Sequence, residues 1–305
     1  MFRVRLHSPW RKEIRVEQYI FSESFNFEEA DGLLCEWQPH NDLLKFKGPK
    51  IWYNSEAISR NVFNYGEWSK LKENKKEQIY ICHAHPDPFY RVPMIGYVNP
   101  VRNFENNKRM ELCVAVTSNS GVDWNSKEIL QRNNFVTNNL VHLYGRRKKW
   151  EEYMQQFHSI KGLPNNYMGE IPWPWEGGDR IKVMSNYKAA ICLENVVEPF
   201  YFTEKFYAAI QANCIPIYHA HESVKTQILE GALWVDPADH DFDINRTLEF
   251  ALSDNRMKYV ECNTEWLKTP KAQAAELSQV FLRLGMILRA QLSLLMAEKH
   301  EEKSQ

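Results

Sequence analysis

Neither sign of charge prevails in this chain, where 38 lysines and arginines face 39 aspartates and glutamates over 305 residues. Without a global field it is not drawn onto nucleic acid or anionic lipid, so any anion site must be local. No run approaches the ~18 apolar residues of a spanning helix, and the opening MFRVRLHSPWRKE is too charged for a signal peptide. A cytosolic chain is expected. No CxxC pair occurs; Cys35, Cys82, Cys113, Cys192, Cys214 and Cys262 are dispersed, several in apolar runs. That argues against a disulfide framework or a cysteine-based zinc site and predicts buried, reduced thiols. Internal repeats and low-complexity tracts are lacking too.

What the chain does have is the make-up of an ordinary globular protein, 44% hydrophobic and 25% charged. At roughly one domain per ~150 residues, its length predicts two domains. The aromatic share is high at 13%, with ten tryptophans. Aromatic faces stack on bases and on sugars, but more often they fill cores.

The first hundred residues alternate extended runs (MFRVRL, DGLLCEW, PKIWYN, QIYICHA) with polar connections, as one α/β unit would. A polar stretch from Asn99 to Met110 reads as a linker. Strands and helices then follow by turns: LCVAVT, SKEILQRNNFVTNN, VHLYG, an irregular Gly/Pro/Trp stretch from Gly162 to Gly178, YKAAICLEN, TEKFYAAIQAN, CIPIYHA and GALWVD. Strands separated by ten-residue helical patterns imply a parallel sheet. Lys271 to His300 reads as one long helix, with Leu277, Val280, Phe281, Leu284, Ile287, Leu288 and Leu292 forming its apolar stripe. The expected division is 1–108, 109–270 and a C-terminal helix at 271–305 that packs back on the body.

The strongest local signal lies between Tyr187 and Asp236. The apolar strand KAAICL ends in Glu194 and Asn195, and the carboxyl ends of parallel strands are where α/β sheets bind ligands. Thr203 is a natural N-cap for a helix spaced by Phe206, Ala209 and Ile210, with Glu204 in its first turn. Lys205 therefore sits beside free backbone amides, an arrangement suited to a diphosphate, and Glu204 is placed to accept hydrogen bonds from ribose hydroxyls. The same spacing fits a Glu204 that only complements the helix dipole beside a solvated Lys205; spacing alone leaves the two readings level.

These residues resemble the donor-site signature of the α1,3/4-fucosyltransferases. Leu193, Glu194 and Asn195 stand in the place of that family's FEN triplet, Leu193 replacing Phe. Tyr201, Phe202, Thr203, Glu204 and Lys205 match its Tyr-x-Thr-Glu-Lys box, and a small-residue helix leads into the IPI strand. His219, Ala220 and His221 replace the family's small turn after that strand. Upstream, Thr117 to Asn119, the helical Arg132 and VHLYG are similar to a VSN-like strand end, an Arg-bearing helix and a strand ending in YG.

The resemblance implies a GT-B fold, two Rossmann-like domains facing a cleft, the first for the acceptor and the second for the nucleotide sugar. It implies an inverting transfer of L-fucose from GDP-β-L-fucose to a glycan hydroxyl, expected at O3 of N-acetylglucosamine or glucose, with no metal or other cofactor required. Donor binding would fall to Arg132, Glu194, Asn195, Tyr201, Thr203, Glu204, Lys205 and Asn119. Guanidinium suits the Arg132 position because its planar fork grips two phosphate oxygens. In the first domain PKIWYNSEAISRN is similar to the segment bearing the family's catalytic carboxylate, which puts the base at Glu56. A sugar hydroxyl needs such a proton acceptor during attack.

The partners implied are a GDP-sugar and a glycan, with no nucleic acid and at most peripheral membrane contact through the C-terminal helix. Three other readings remain. HAHPD, from His83 to Asp87, with His219 and His221 elsewhere, suggests a metal hydrolase, though no third ligand is evident nearby. A non-catalytic carbohydrate-binding protein would keep the fold, and a related enzyme would use another GDP-sugar.

Overall fold

The computed structural model of the protein describes residues 1–54, 80–85, 87–93, 95–96, 109–117, 127–171 and 179–304. They form two compact units, Met1–Ile95 with Ala274–Gln305, and Gly96–Gln273. Glu56 and Asn119, and most of the stretch read as a linker, lie outside the described residues.

In the first unit the strands are β1 (Phe2–His7), β2 (Glu13–Val16), β3 (Tyr19–Ser22), β4 (Gly32–Glu36), β5 (Lys50–Asn54) and β6 (Tyr80–Cys82), ordered β2-β3-β1-β4-β5-β6. All neighbours are parallel except the β2–β3 hairpin. Strand periodicity divides the apolar side chains between two layers. Val4, Leu6, Leu34, Ile51, Tyr53 and Ile81 face one core, while Leu33, Cys35, Trp52, Tyr80 and Cys82 face another. With both faces covered, β4 reads as an unbroken apolar run and all five of its residues are buried.

The first core is closed by the helix Leu277–Ser304, whose Val280, Phe281, Leu284, Ile287 and Leu288 are fully buried. Each such side chain contributes about 1.5–3 kcal/mol. The helix can lie this close because Gly285 meets the Tyr19 ring, where an added Cβ would come within 2.6 Å. The stripe read from the sequence is therefore the packing face, and the helix belongs with the first unit. One expectation is corrected here. Leu277–Glu298 is long and apolar enough, by length and composition, to cross a membrane. Arg283 and Arg289 break up its apolar runs, so counting unbroken runs missed it.

The second unit carries β7 (Met110–Val116), β8 (Val141–Tyr144), β9 (Tyr167–Gly169), β10 (Tyr187–Ile191) and β11 (Ile215–Ile217), parallel throughout in the order β11-β10-β7-β8-β9. Helices Lys127–Val136, Arg147–His158 and Glu204–Gln211 link β7 to β8, β8 to β9 and β10 to β11. Cys113, Ala115, Leu143, Ala189, Ile191, Ile215 and Ile217 pack with Phe135, Trp150, Tyr153 and Leu248 in its core. GALWVD, expected as a further strand, makes a single bridge from Val235 to Ile217. The Asn263 side chain takes the backbone N–H of Leu233 at 2.8 Å and its carbonyl at 2.9 Å, satisfying groups that a ladder would otherwise pair.

Five of the six cysteines are buried, and burial pushes the thiols of Cys35, Cys113 and Cys214 up to about 12, which leaves them inert.

Strand order marks one crevice in each sheet. Connections leave in opposite directions between β7 and β10 in the second unit and between β1 and β4 in the first, so the carboxyl ends of those pairs are the topological switch points. At the first of these, Gly145 follows β8 against the carbonyl of Thr117, where a Cβ would approach to 2.1 Å. Thr117 is itself fixed by its N–H bond to the Tyr144 carbonyl at 3.0 Å and cannot retreat. Gly145→Ala is thus expected to destabilise the protein by about 3 kcal/mol, read as a lower urea midpoint at unchanged m-value; a midpoint like that of the parent would show that the backbone yields there.

Candidate functional site

At the second unit's switch point the chain leaves β10 through Cys192, Leu193, Glu194 and Asn195. Glu194 is 3% exposed, and burying a carboxylate demands partners. It has four. The Thr203 amide (2.9 Å), the Thr203 hydroxyl (2.8 Å) and the Tyr218 hydroxyl (3.1 Å) donate to Oε1, and Lys205 Nζ donates to Oε2 at 2.9 Å. Glu194 therefore clamps the start of the helix Glu204–Gln211 to the end of β10.

Thr203 caps that helix as expected, with extended backbone and its hydroxyl accepting from the Lys205 amide at 3.4 Å. The hydroxyl also accepts from Lys205 Nζ at 2.9 Å. Beneath the cap Phe202 packs edge-on against Tyr207, Tyr218 and Trp266, so the turn rests on a rigid aromatic floor. Tyr201 is buried beside it. Phe200, just before, is held at φ 60°, a conformation rarely tolerated by a bulky residue and one that tends to persist at functional sites. Its amide donates to Ser223 Oγ at 3.0 Å.

Two arginines converge on the same segment. Arg132, 4% exposed on the helix Lys127–Val136, donates to Asn195 Oδ1 and, at 3.2 Å, to Asn133 Oδ1. Arg180, from the short helix Asp179–Met184, pairs with Glu204 at 3.2 Å. Burial by itself would raise the Glu204 carboxyl, but the Lys205 and Arg180 cations outweigh it and hold the group at about 2, so it is an ionised acceptor at any working pH. Burial and the Glu194 charge push the Tyr218 phenol well above its usual range, which keeps it a donor.

The structure thus brings together Arg132, Glu194, Asn195, Tyr201, Thr203, Glu204 and Lys205. Sequence reasoning missed Arg180 and Tyr218. Arg180 follows an irregular stretch with no motif of its own. For Tyr218 the signal was its place directly after the buried Ile217, where the end of a strand meets the switch point.

Beyond β11, His219 Nδ1 donates to Asp236 at 2.8 Å and Lys225 Nζ lies 2.6 Å from its other oxygen. Burial opposes ionisation of Asp236, but hydrogen bonds from His219, Lys225 and the Ala238 amide prevail and hold it at about 2. As pH falls from about 4 to 2 the unfolded chain takes up this proton before the native state does, so stability falls with it. Asp236→Asn is expected to cost about 2 kcal/mol at pH 7, and the gap should narrow when urea unfolding is repeated at pH 3. An equal gap at both pH values would remove Asp236 from the acid sensitivity.

The histidines read as a possible metal cluster divide between the two units. His83 and His85 belong to the first unit, where the Asp87 amide donates to His85 Nδ1 at 3.1 Å, as in an ordinary loop. His221 caps the helix Glu222–Gln227 in the second unit.

No protein-family model matches the chain, and no curated protein matches its sequence. Solved structures do. An α-glucosyltransferase in complex with UDP and a 13-mer DNA containing an HMU base matches at 13% identity and TM-score 0.50, over 85% of this chain and 79% of the other. A DNA-modifying β-glucosyltransferase matches at 13% identity and TM-score 0.49, over 88% and 85%. An α1,3-fucosyltransferase with GDP-fucose matches at 15% identity and TM-score 0.44, over 88% and 81%. With the two parallel-rich sheets and their strand orders, the first of these likenesses gives the fold: the chain has the GT-B architecture of two Rossmann-like units.

Proposed function

We propose that this chain is an inverting glycosyltransferase that moves L-fucose from GDP-β-L-fucose to a glycan hydroxyl, at O3 of N-acetylglucosamine or glucose, forming an α1,3-type linkage. The observation that carries the reading is the clamp at residues 194–205. A buried carboxylate fixes a lysine at a helix N-terminus, and two buried arginines bond to residues on either side of it. Fixed cations aimed at one place cost little reorganisation, which is what stabilisation of a departing diphosphate requires.

Lys205, Arg132 and the helix amides would meet the charge on the leaving GDP. Glu204, ionised and partly exposed, would accept the ribose hydroxyls, while Asn195, Tyr201 and Asn119 would line the donor pocket. Glu194 would act through Lys205, positioning it. Glu56 would accept the acceptor's proton as that oxygen attacks the anomeric carbon from the face opposite GDP. The first unit would hold the acceptor glycan and the second the donor, with no metal needed for donor binding. Net charge near zero supports a glycan over a nucleic-acid acceptor. The location would be cytoplasmic, with membrane contact at most peripheral through the exposed Leu294 and Met296 of the C-terminal helix.

A second reading keeps the fold and mechanism but changes the donor. It is favoured by Leu193 in place of the family's Phe and by the His219–Asp236 pair where that family has small residues. UDP in the α-glucosyltransferase structure widens the choice to uridine sugars. Calorimetric titration with GDP-fucose, GDP-mannose and UDP-glucose, each with and without EDTA, separates these. Metal-independent preference for GDP-fucose is the expected result. Preference for another sugar nucleotide selects the second reading, and no binding at all would make the clamp a capped helix only.

A further inference from the structure

The first unit's switch point presents an indole that lies in neither of that unit's cores. Ser8, Pro9, Trp10 and Arg11 make the turn after β1, and Trp37 follows β4 directly, so both tryptophans stand at the carboxyl end of the β1–β4 pair. We infer that Trp10, backed by Trp37, is a stacking platform for one neutral pyranose ring of the acceptor glycan, an inference that rests on the reading of the first unit as the acceptor side.

Trp10 is 41% exposed, yet its backbone is pinned. The Ser8 hydroxyl accepts from the Trp10 amide at 3.1 Å and from the Arg11 amide at 3.2 Å, and it donates to Glu36 at 2.6 Å. Glu36 is buried at the end of β4, and Arg11 donates to its other oxygen at 2.8 Å. A buried carboxylate thus fixes the turn from below, and it does so through the main chain of residue 10, which any side chain would allow. The indole itself is placed by ring contacts. Trp37 lies 5.4 Å away between centroids with the planes 38° apart, and the Arg11 guanidinium is 5.9 Å from the Trp10 ring centre.

Trp37 is fixed in its turn. It is held at φ 71°, a strained conformation for a bulky residue and of the kind that clusters at ligand sites. Its amide donates to the Tyr53 carbonyl at 2.8 Å, and the Trp52 indole N–H donates to its carbonyl at 3.2 Å. These bonds tie the aromatic pair to the end of β5, the strand that precedes Glu56 in the sequence. A rigid indole pair gives up little conformational freedom when a ligand settles on it, so most of the contact energy is kept as affinity.

Charge and polarity select the ligand. An indole face is apolar and electron-rich, which suits the C–H face of a sugar ring. The charged groups at the same strand ends are paired with each other, Glu36 with Arg11 and Asp42 with Arg5, so none of the four is left to seek a phosphate or an amine. Gln38, exposed beside Trp37, supplies an amide that can both donate to and accept from ring hydroxyls.

Full-length protein, isotope-labelled at its tryptophan indole nitrogens, gives one N–H resonance per tryptophan, and the Trp10 resonance is the one missing from Trp10→Phe. Titration with lactose and with N-acetyllactosamine should shift the Trp10 resonance and leave in place those of Trp150 and Trp266, which are buried in the second unit. Trp10→Ala should weaken sugar binding by about tenfold, read by calorimetry, with most of it restored in Trp10→Tyr. A Trp10 resonance that neither sugar moves, one that GDP alone moves as far, or sugar binding by Trp10→Ala equal to the parent's overturns the assignment. The resonance titration needs only the parent and the mild Trp10→Phe change, so it decides the matter even if the alanine variant folds poorly. GDP titration of the same samples reports on the second unit separately: GDP binding beside a silent Trp10 removes the platform and keeps the donor reading, and the converse removes the donor reading alone.

Discussion

Lys205→Ala is expected to lower stability by about 3 kcal/mol and to weaken binding of the donor diphosphate by about 10–100-fold, the worth of one charge-assisted hydrogen bond. The two losses have different origins. Stability falls because the Glu194 side chain, 1% exposed, loses the ammonium that donates to its Oε2 at 2.9 Å, leaving a buried polar group short of a partner. Affinity falls because a fixed positive charge has left the helix N-terminus. Adding Glu194→Gln separates the effects: the amide still accepts from the Thr203 and Tyr218 donors but carries no charge, so Lys205→Ala/Glu194→Gln should regain most of the lost stability. Nucleotide affinity should stay low. Urea unfolding and calorimetry on the four proteins of this cycle test the point. If affinity returns with stability, Lys205 serves only to neutralise Glu194 and has no part in holding phosphate.

Local signals were the legible part of this protein. The apolar runs in KIWYN and YKAAI, the N-cap at Thr203 and the 3.6-residue stripe from Val280 to Leu288 all depend on neighbours in sequence, and each formed the element that its pattern predicts. The β2–β3 hairpin escaped because EIRV and YIFS are runs of only four residues each. Within the candidate site, the residue types were readable but the depth was not. Glu194 at the end of a strand reads as a group facing a ligand, whereas tertiary packing lays Lys205, Thr203 and Tyr218 over it. Arg180 pairs with Glu204 across 24 positions, and His7 meets Asp42 across 35; only sheet order brings such partners together. His7 and His40, which both approach Asp42, come from LHSP and PHND, where no local pattern marks them.

Glu56→Gln is expected to lower kcat by about 10²–10⁴-fold, or about 3–5 kcal/mol of barrier, while GDP affinity stays nearly unchanged. Glutamine keeps the shape and the hydrogen-bonding reach of the side chain and loses only the ability to take a proton. Two other carboxylates lie near the carboxyl end of β4. Glu36 at the end of β4 is 2% exposed, with the Ser8 hydroxyl donating to one oxygen at 2.6 Å and Arg11 to the other at 2.8 Å. Asp42 is held by Arg5 and His7 on a single oxygen and faces His40 with the other. Glu56, the proposed base, comes two positions after Asn54 in the sequence, outside the described residues. Steady-state kinetics with calorimetry on the same protein decide it. Loss of turnover and GDP affinity together would make Glu56 a structural residue, and retained turnover would move the base elsewhere in the chain.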